Sequence, residues 1–360
     1  MTKPHLLQVG PYPEWDQGPL DAAYTVHRWW EAADKDAFLA KVGPLVDAIA
    51  TRGDLGASEA MIAACPKLKM IGVFGVGYDA VHMASARARG IRVSNTPDVL
   101  TEDVADIAVA MLLALVRRVG PAEAWVRSGD WAAKGMFPLT RKVSGTRAGI
   151  LGLGRIGSAI ARRLQGFGME IAYSARGPKP GAEGWTFVPD AVALAERSDH
   201  LFVALAATAE TRHIVNAEVL RALGSEGTVI NISRAANVDE AALLDALEGG
   251  KIAGAALDVF EGEPNLNPRF LSAPNVLLQP HHGSGTVDTR KAMGKLRRLP
   301  AEHARGGGRL LCVCQHRRDL VILLARHGHL QRAGPLPPDR PQGADCRRWL
   351  SIRRQGLQST

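Results

Sequence analysis

Three residues that follow apolar segments have types suited to one reaction. Arg234 ends Asn231-Ile232-Ser233-Arg234, Glu263 lies in Phe260-Glu261-Gly262-Glu263-Pro264, and His281 lies in Gln279-Pro280-His281-His282-Gly283-Ser284. Hydride transfer to a ketone leaves negative charge growing on oxygen, and an imidazolium, with its near-neutral ordinary pKa, can supply the proton. A carboxylate beside the ring favours the protonated form and orients it. An arginine can grip an α-carboxylate and polarise the adjoining carbonyl. Plainer readings exist for each: Glu263 as a cap or surface contact, and Arg234 as a structural partner of Asp258 or Asp239. Chemistry alone does not choose between His281 and His282.

A second group of residues suits phosphate. The apolar strand Arg147–Leu151 runs into Gly152-Leu153-Gly154-Arg155-Ile156-Gly157, then a helical pattern with Ile160, Ala161 and Leu164 inward, then a strand over 169–173. Strand, glycine turn and helix together make a dinucleotide fingerprint. In it Gly152 makes the turn, and Gly154 lets the backbone reach a pyrophosphate whose charge faces the helix N-terminus. Gly157 permits close helix–strand packing. An NAD site places Asp or Glu after the second strand, whereas this chain reads Tyr173-Ser174-Ala175-Arg176, with Lys179 beyond. Arg176 can pair with a 2′-phosphate and Ser174 can donate to it, so NADP(H) is the expected preference, with NAD(H) also possible. The alternative is that Arg176 stacks near the adenine of an NAD site. A third stretch, Gly75-Val76-Gly77-Tyr78-Asp79, follows a strand and exposes backbone N–H groups to a small ligand, or makes an ordinary tight turn. No basic cluster flanks Val76 in the sequence, so a phosphorylated substrate is not indicated.

These residues need a scaffold, and the pattern is alternating strands and helices. Strands are expected at 5–9, 69–74 and 91–93, with helices at 35–49 and 58–64, the latter capped by Ser58. After Asn95-Thr96-Pro97, Thr101 is the expected cap of a connector helix reaching about Arg118, with Val104, Ile107, Ala108, Met111, Leu112, Leu115 and Val116 on its apolar face. Further on, strands are expected at 200–204, 228–232, 253–259 and 275–278, with helices at 190–197, 217–223 and 239–247 between them. In a parallel sheet, ligands sit beyond the carboxyl ends of the strands, where Arg234, Glu263 and His281 fall.

Composition excludes other classes. The chain has 360 residues and a net charge of +8, unevenly spread: residues 1–296 hold 31 basic and 32 acidic groups, whereas 297–360 hold 13 Arg, no Lys and 4 acids. A nucleic-acid-binding protein normally carries its charge on the folded domain, so nucleic acid is not an indicated partner. No run of eighteen apolar residues suggests a membrane span, and the N-terminus lacks a signal pattern. Cys65 alone precedes Cys312, Cys314 and Cys346, which fits a cytoplasmic protein without a disulfide framework. The single residue between Cys312 and Cys314, with His316 and His327 beyond, matches no usual zinc spacing, and no metal is expected.

The chain resembles the D-isomer-specific 2-hydroxyacid dehydrogenases, most of all the glyoxylate/hydroxypyruvate reductase branch. The matching stretches are VGYD at 76–79, NTPDVLTEDVADIAVAMLLA at 95–114, GLGRIGSAIARRLQGFGM at 152–169, ETRHIVN at 210–216, NISRAANVDEAAL at 231–243, GAALDVFEGEP at 254–264 and PHHGSGT at 280–286. The resemblance implies two α/β domains, a Rossmann-type doubly wound parallel sheet inserted in a smaller flavodoxin-like substrate domain. The substrate domain would be 1–100 with a return helix at 282–296, the cofactor domain 101–281, and 297–360 a divergent, poorly ordered basic tail. It also implies that Arg234, Glu263 and His281 are catalytic, with His281 the acid and His282 in support. Val76 and Gly77 would grip the substrate carboxylate with Arg234. Arg155 and Ile156 would contact the cofactor phosphates, with Thr101, Asp258 and Gly283 near the nicotinamide. The expected reaction is reduction of glyoxylate or hydroxypyruvate by NADPH. The alternatives are another D-2-hydroxyacid dehydrogenase or a corepressor-like regulator that binds NADP(H) without turnover. The family's homodimer, formed through the cofactor domain, would set Trp125 and Trp131 near the partner. From Arg297 the chain departs from the family: Arg, Gly, Pro, His and Cys rise together, as in out-of-frame translation of a GC-rich gene. Pro300 and the glycines at 306–308 are expected to break any long helix there.

Overall fold

The structure, a computed structural model, describes residues 3–305, 311–316, 319–326 and 329–332, with side chains over 3–296. The first segment alternates β1 (His5–Gln8), α1 (Glu14–Ala23), β2 (Thr25–Arg28), α2 (Lys35–Val42), β3 (Ala48–Arg52), α3 (Glu59–Ala64), β4 (Met70–Phe74), α4 (Met83–Ala88) and β5 (Arg92–Ser94). Its five strands are all parallel, in the order β2-β1-β3-β4-β5. Ser58 caps α3 as expected, its Oγ accepting the Met61 N–H at 3.2 Å. The helix expected over 35–49 ends instead at Val42. A single 3-10 turn holds Gly43–Leu45, and 48–52 is strand β3. Pro44 has no N–H with which to continue the helix, and Ile49, Ala50 and Thr51 are buried as a central parallel strand requires. Neither α1, which contains Pro19, nor β2, a partly exposed edge strand, had a clear periodic signal.

The connector is α5 (Thr101–Val116), followed by α6 (Val119–Arg127) and α7 (Asp130–Lys134). Val104, Ala108, Met111, Leu112 and Val116 are buried, so the expected apolar face is the face that packs. Thr101 is not its cap. Leu100 holds that position without a side-chain bond, and the turn is closed by the Thr101 N–H donating to the Asp98 carbonyl at 3.0 Å. Asp98 has a φ of +71°, which bends the chain there and leaves Thr101 inside the helix, nearly buried.

The second segment runs β6 (Arg147–Leu151), α8 (Arg155–Gln165), β7 (Glu170–Ser174), β8 (Thr186–Phe187), α9 (Ala191–Glu196), β9 (His200–Val203), α10 (Ala217–Leu223), β10 (Thr228–Asn231), α11 (Glu240–Glu248), β11 (Gly254–Leu257) and β12 (Val276–Leu278). These seven strands are parallel, in the order β8-β7-β6-β9-β10-β11-β12. The order reverses between β6 and β9, the Rossmann arrangement in which nucleotides bind at the reversal. Arg163 on α8 ties that helix to α5 through Glu102 at 2.7 Å and Asp106 at 2.6 Å.

The chain returns in α12 (Val287–Arg305), which is anchored to the connector region by Thr289 Oγ1 donating to the Val99 carbonyl at 3.2 Å. The break expected at Pro300 does not occur. A proline removes one N–H and strains the preceding turn, but here the helix continues to Arg305. Beyond it β13 (Leu311–His316), β14 (Asp319–Arg326) and β15 (His329–Arg332) form a separate antiparallel sheet. These strands fall within the 297–360 tail, most of whose residues lie outside the described ones. Val321 and Ile322 are β-branched, which favours extended chain. The metal question at Cys312, Cys314, His316, His327 and Cys346 lies outside the described side chains.

Candidate active site

The clearest pair is His281 with Glu263. His281 follows β12 at a φ of +51°, held by its own N–H on the Gln279 carbonyl at 3.0 Å. Its Nδ1 lies 2.6 Å from Glu263 Oε2, while Glu263 Oε1 accepts the Phe260 N–H at 2.7 Å. Glu263 is thus more than a cap: one oxygen is fixed by backbone and the other by imidazole. With Nδ1 engaged, Nε2 is the ring nitrogen left for a ligand. The structure also separates the two histidines, because the His282 side chain approaches no carboxylate closer than Asp258, at 3.9 Å.

Arg234 pairs with neither of the partners weighed from the sequence. Asp239 instead caps α11, accepting the Ala242 N–H at 3.1 Å, and Asp258 accepts the His282 and Gly283 N–H groups at 2.9 Å each. Burial pushes the Asp258 carboxyl above its usual range, against the pull of those two N–H groups and the nearby histidines. Arg234 crosses to the first sheet, with Nε 3.2 and 3.1 Å from the two oxygens of Asp79. Its guanidinium lies over Gly77, where an added Cβ would fall 1.7 Å from Nη2. The loop carrying Gly77 is pinned from β5 onward: Asn95 Nδ2 donates to the Val76 carbonyl at 2.8 Å, and the Gly75 N–H donates to Thr96 Oγ1 at 3.1 Å. Among the described residues no protein acceptor takes the N–H of Val76 or Gly77. Two such groups beside a guanidinium suit a carboxylate.

Four residues here escaped sequence reasoning: Asp79, Arg52, Asp54 and Arg290. Arg52 ends β3 and Asp54 lies two residues beyond; the helix expected over 35–49 overlaps the start of that strand, so their place at a strand end was hidden. They form an ion pair, Arg52 Nε to Asp54 Oδ1 at 3.0 Å. Burial raises the Asp54 carboxyl, but Arg52 outweighs it and, with a smaller share from His281, holds Asp54 below its usual range. Gly53 between them nearly touches the Gly77 carbonyl, 2.9 Å from where its Cβ would be. Arg290 on α12 stands 5.8 Å over the Phe74 ring, and Phe74 is the strand partner of Arg52. Two arginines therefore do approach the stretch before Val76, although Asp54 offsets one of them. Asp79 had its place in the VGYD stretch but no role there, Arg52 and Asp54 had only their place at the end of the apolar run 48–51, and Arg290 had no signal of its own.

The nucleotide turn fits its reading glycine by glycine. Gly152 has a φ of +97°, and a Cβ there would meet Leu205 backbone at 2.7 Å. A Cβ on Gly157 would strike the Gly152 carbonyl at 2.1 Å, whereas Gly154 faces open space. The turn is thus closed at two glycines and open to a ligand at the third. Arg155 opens α8 and is ion-paired with Asp98, and Ile156 packs partly buried against the core. After β7, Arg176 is exposed and makes no ion pair among the described residues. Ser174 corrects one expectation: its hydroxyl donates to the Pro189 carbonyl at 3.0 Å, so its proton is already placed. Thr101 opens α5, and Gly283 packs against that helix, where a Cβ would lie 3.5 Å from Val104 and 2.9 Å from Asp258 Oδ2. Trp125 is tied locally, donating to the Gly135 carbonyl at 3.0 Å, while Trp131 is 62% exposed.

Fold and site together define an NAD(P)-binding oxidoreductase of the Rossmann type. The family model described as "D-isomer specific 2-hydroxyacid dehydrogenase, NAD binding domain" matches residues 109–283. The chain is 43% identical over 291 residues to glyoxylate/hydroxypyruvate reductase A HPR2 of Arabidopsis thaliana, covering 81% of this chain and 92% of that one. The solved structure of a 2-hydroxyacid dehydrogenase from Ketogulonicigenium vulgare Y25 is 62% identical with a TM-score of 0.80, covering 88% of this chain and 100% of that one. An NADPH-dependent glyoxylate/hydroxypyruvate reductase from Sinorhizobium meliloti, solved with NADP and malonate, is 44% identical with a TM-score of 0.79 over 85% and 95%. The chain belongs to the D-isomer-specific 2-hydroxyacid dehydrogenase family. Its reaction is the NAD(P)H-dependent reduction of a small 2-keto acid to the D-2-hydroxy acid.

Proposed function

We propose that the chain reduces glyoxylate or hydroxypyruvate with NADPH as the preferred reductant. The observation that carries the reading is the 2.6 Å contact of His281 with Glu263, with Arg234 set over Gly77. When bound, the nicotinamide supplies a hydride to the substrate C2. Arg234 and the N–H groups of Val76 and Gly77 hold the α-carboxylate. Glu263 accepts from Nδ1 and orients the ring, so His281 can offer an Nε2 proton to the carbonyl oxygen. Gly152, Gly154, Gly157, Arg155 and Ile156 hold the pyrophosphate, and Thr101, Asp258 and Gly283 line the nicotinamide end. With the Ser174 proton spent on Pro189, the 2′-phosphate falls to Arg176 and Lys179.

The NADPH preference is supported by the exposed Arg176, the lack of a carboxylate after β7 and the NADPH-dependent relative from Sinorhizobium meliloti. Initial rates with both nucleotides test it, and a ratio of kcat/KM for NADPH over NADH below one overturns it. The substrate panel should hold glyoxylate, hydroxypyruvate and an arylpyruvate, because a hydroxyphenylpyruvate reductase of Plectranthus scutellarioides is equally similar, at 43% identity. The intact Arg234, Glu263 and His281 set argues against a regulator without turnover.

The same reading assigns 1–100 and 282–296 to the substrate domain and 101–281 to the cofactor domain. The strand order β2-β1-β3-β4-β5 supports a flavodoxin-like substrate domain. The exposed Val119, Val126, Trp131, Met136 and Leu139 on and after α6 and α7 support a homodimer through that face. No helix among the described residues is long and apolar enough to cross a membrane. Burial pushes the Cys65 thiol up to about 11, an unreactive thiol that suits the cytoplasm. Every residue assigned a role precedes Arg297.

A further inference from the structure

We propose that Asp79 is a positioning residue for Arg234, fixing which edge of its guanidinium meets the substrate. Arg234 follows β10 of the second sheet and Asp79 follows β4 of the first, 155 residues earlier. A guanidinium has five N–H groups in a rigid fork. Its Nε–H faces both Asp79 oxygens at 3.1 and 3.2 Å, and Nη1 donates to the Ser233 carbonyl at 2.8 Å. Among the described residues Nη2 donates to no protein group, and it is this nitrogen that lies over Gly77.

Three constraints therefore act on one flexible side chain. Asp79 holds the Nε corner, Ser233 holds Nη1, and Gly77 lets the remaining nitrogen lie flat against the backbone whose N–H groups are free. Without Asp79 the guanidinium can turn about its last bonds and offer a different edge, at the cost of the two-pronged match to a carboxylate. Asp79 does not compete with the substrate for that edge, because it occupies Nε. It also ties the carboxylate grip to both sheets, since Arg234 belongs to one and Asp79 with Gly77 to the other. The inference rests on the reading of Arg234 as the carboxylate anchor.

The test uses the full chain as wild type, D79A, D79N, R234A and D79A/R234A. Rates are measured with glyoxylate and NADPH, NADPH affinity by fluorescence, and oxalate affinity by calorimetry on the nucleotide-loaded protein. For D79A the expected result is a rise of about 10- to 100-fold in glyoxylate KM and oxalate Kd, the scale of a mispositioned group. NADPH affinity should stay within about twofold, D79N should recover most of the loss, and D79A should add less than about twofold in the R234A background. An unchanged KM in D79A, or a loss that multiplies in full with that of R234A, overturns the proposal. If D79A fails to fold, D79N replaces it in the cycle. Its uncharged bond should still raise KM severalfold beside Arg234 and leave the R234A protein unaffected. A wild type that binds oxalate in an Asp79-dependent way but reduces no 2-keto acid removes the proposed function and keeps this inference. Active wild type with an identical D79A does the reverse.

Discussion

The two parallel sheets serve the site differently. The second carries the glycine turn, Glu263 and His281, so in the proposed reading the nucleotide and the proton donor share one sheet. The first offers mostly backbone, the N–H groups of Val76 and Gly77 that meet no acceptor among the described residues, together with Asp79 and the Arg52–Asp54 pair. Only the carboxylate grip draws on both, through Arg234. Hydride and proton must meet the same carbonyl in fixed geometry, which favours one rigid source for both. Holding a carboxylate tolerates contributions from two separate loops.

The difference can be broken or sharpened by experiment. The largest effect is expected on the proton donor: His281→Gln should lower kcat by about 10²- to 10⁴-fold while NADPH binding stays intact. A kcat within tenfold of wild type would move the acid elsewhere. Next comes acid stability of the second sheet. His200 is fully buried, with Nδ1 2.7 Å from Thr228 Oγ1, and burial lowers its pKa to about 4. Below pH 6.5 the unfolded chain takes up a proton that the folded chain refuses, so stability is lost as pH falls from 6.5 toward 4. Near pH 4 the loss should approach about 3 kcal/mol, read from denaturant unfolding at pH 7 and pH 4. In His200→Gln that dependence should flatten. The first sheet has its own histidine contact, His5 Nδ1 to His27 Nε2 at 2.9 Å, with His27 lowered by burial and by His5. That pair is half-exposed, so its pH dependence should be weaker.

Glycine exchanges separate the two sheets more finely. Gly77→Ala places a methyl against Arg234 and should raise the keto-acid KM, by about 10-fold or more. Gly154→Ala meets open space and should leave Tm unchanged while weakening NADPH. Equal effects of both on KM would erase the division of labour. The smallest expected change is at the α9 cap: Asp190 accepts the Ala193 N–H at 2.8 Å, and Asp190→Ala should cost about 1 kcal/mol in thermal unfolding with activity retained.

Much of the second sheet was legible beforehand, because its strands are apolar runs punctuated by glycines with distinct steric duties. Arg234, Glu263 and His281 were legible for a related reason: each follows such a strand. The first sheet was harder. β3 lay hidden beside an apparent helix until Pro44 ended it, and β2 is a half-exposed edge with no alternation. With β3 missed, Arg52 and Asp54 had no visible place at a strand end.

By itself, the sequence determined the class of chemistry of the proposed site: a glycine turn suited to a nucleotide, a histidine suited to proton donation, a carboxylate and an arginine suited to an anion. Local patterns specify these because each depends on a strand end or a tight turn within a few residues. Only the tertiary structure decided the partners. It set His281 Nδ1 on Glu263, put Asp79 rather than Asp239 or Asp258 against Arg234, and gave the Ser174 hydroxyl to Pro189. Those choices join residues up to 155 positions apart, and the distance between side chains on separate loops is set by packing that no local pattern records.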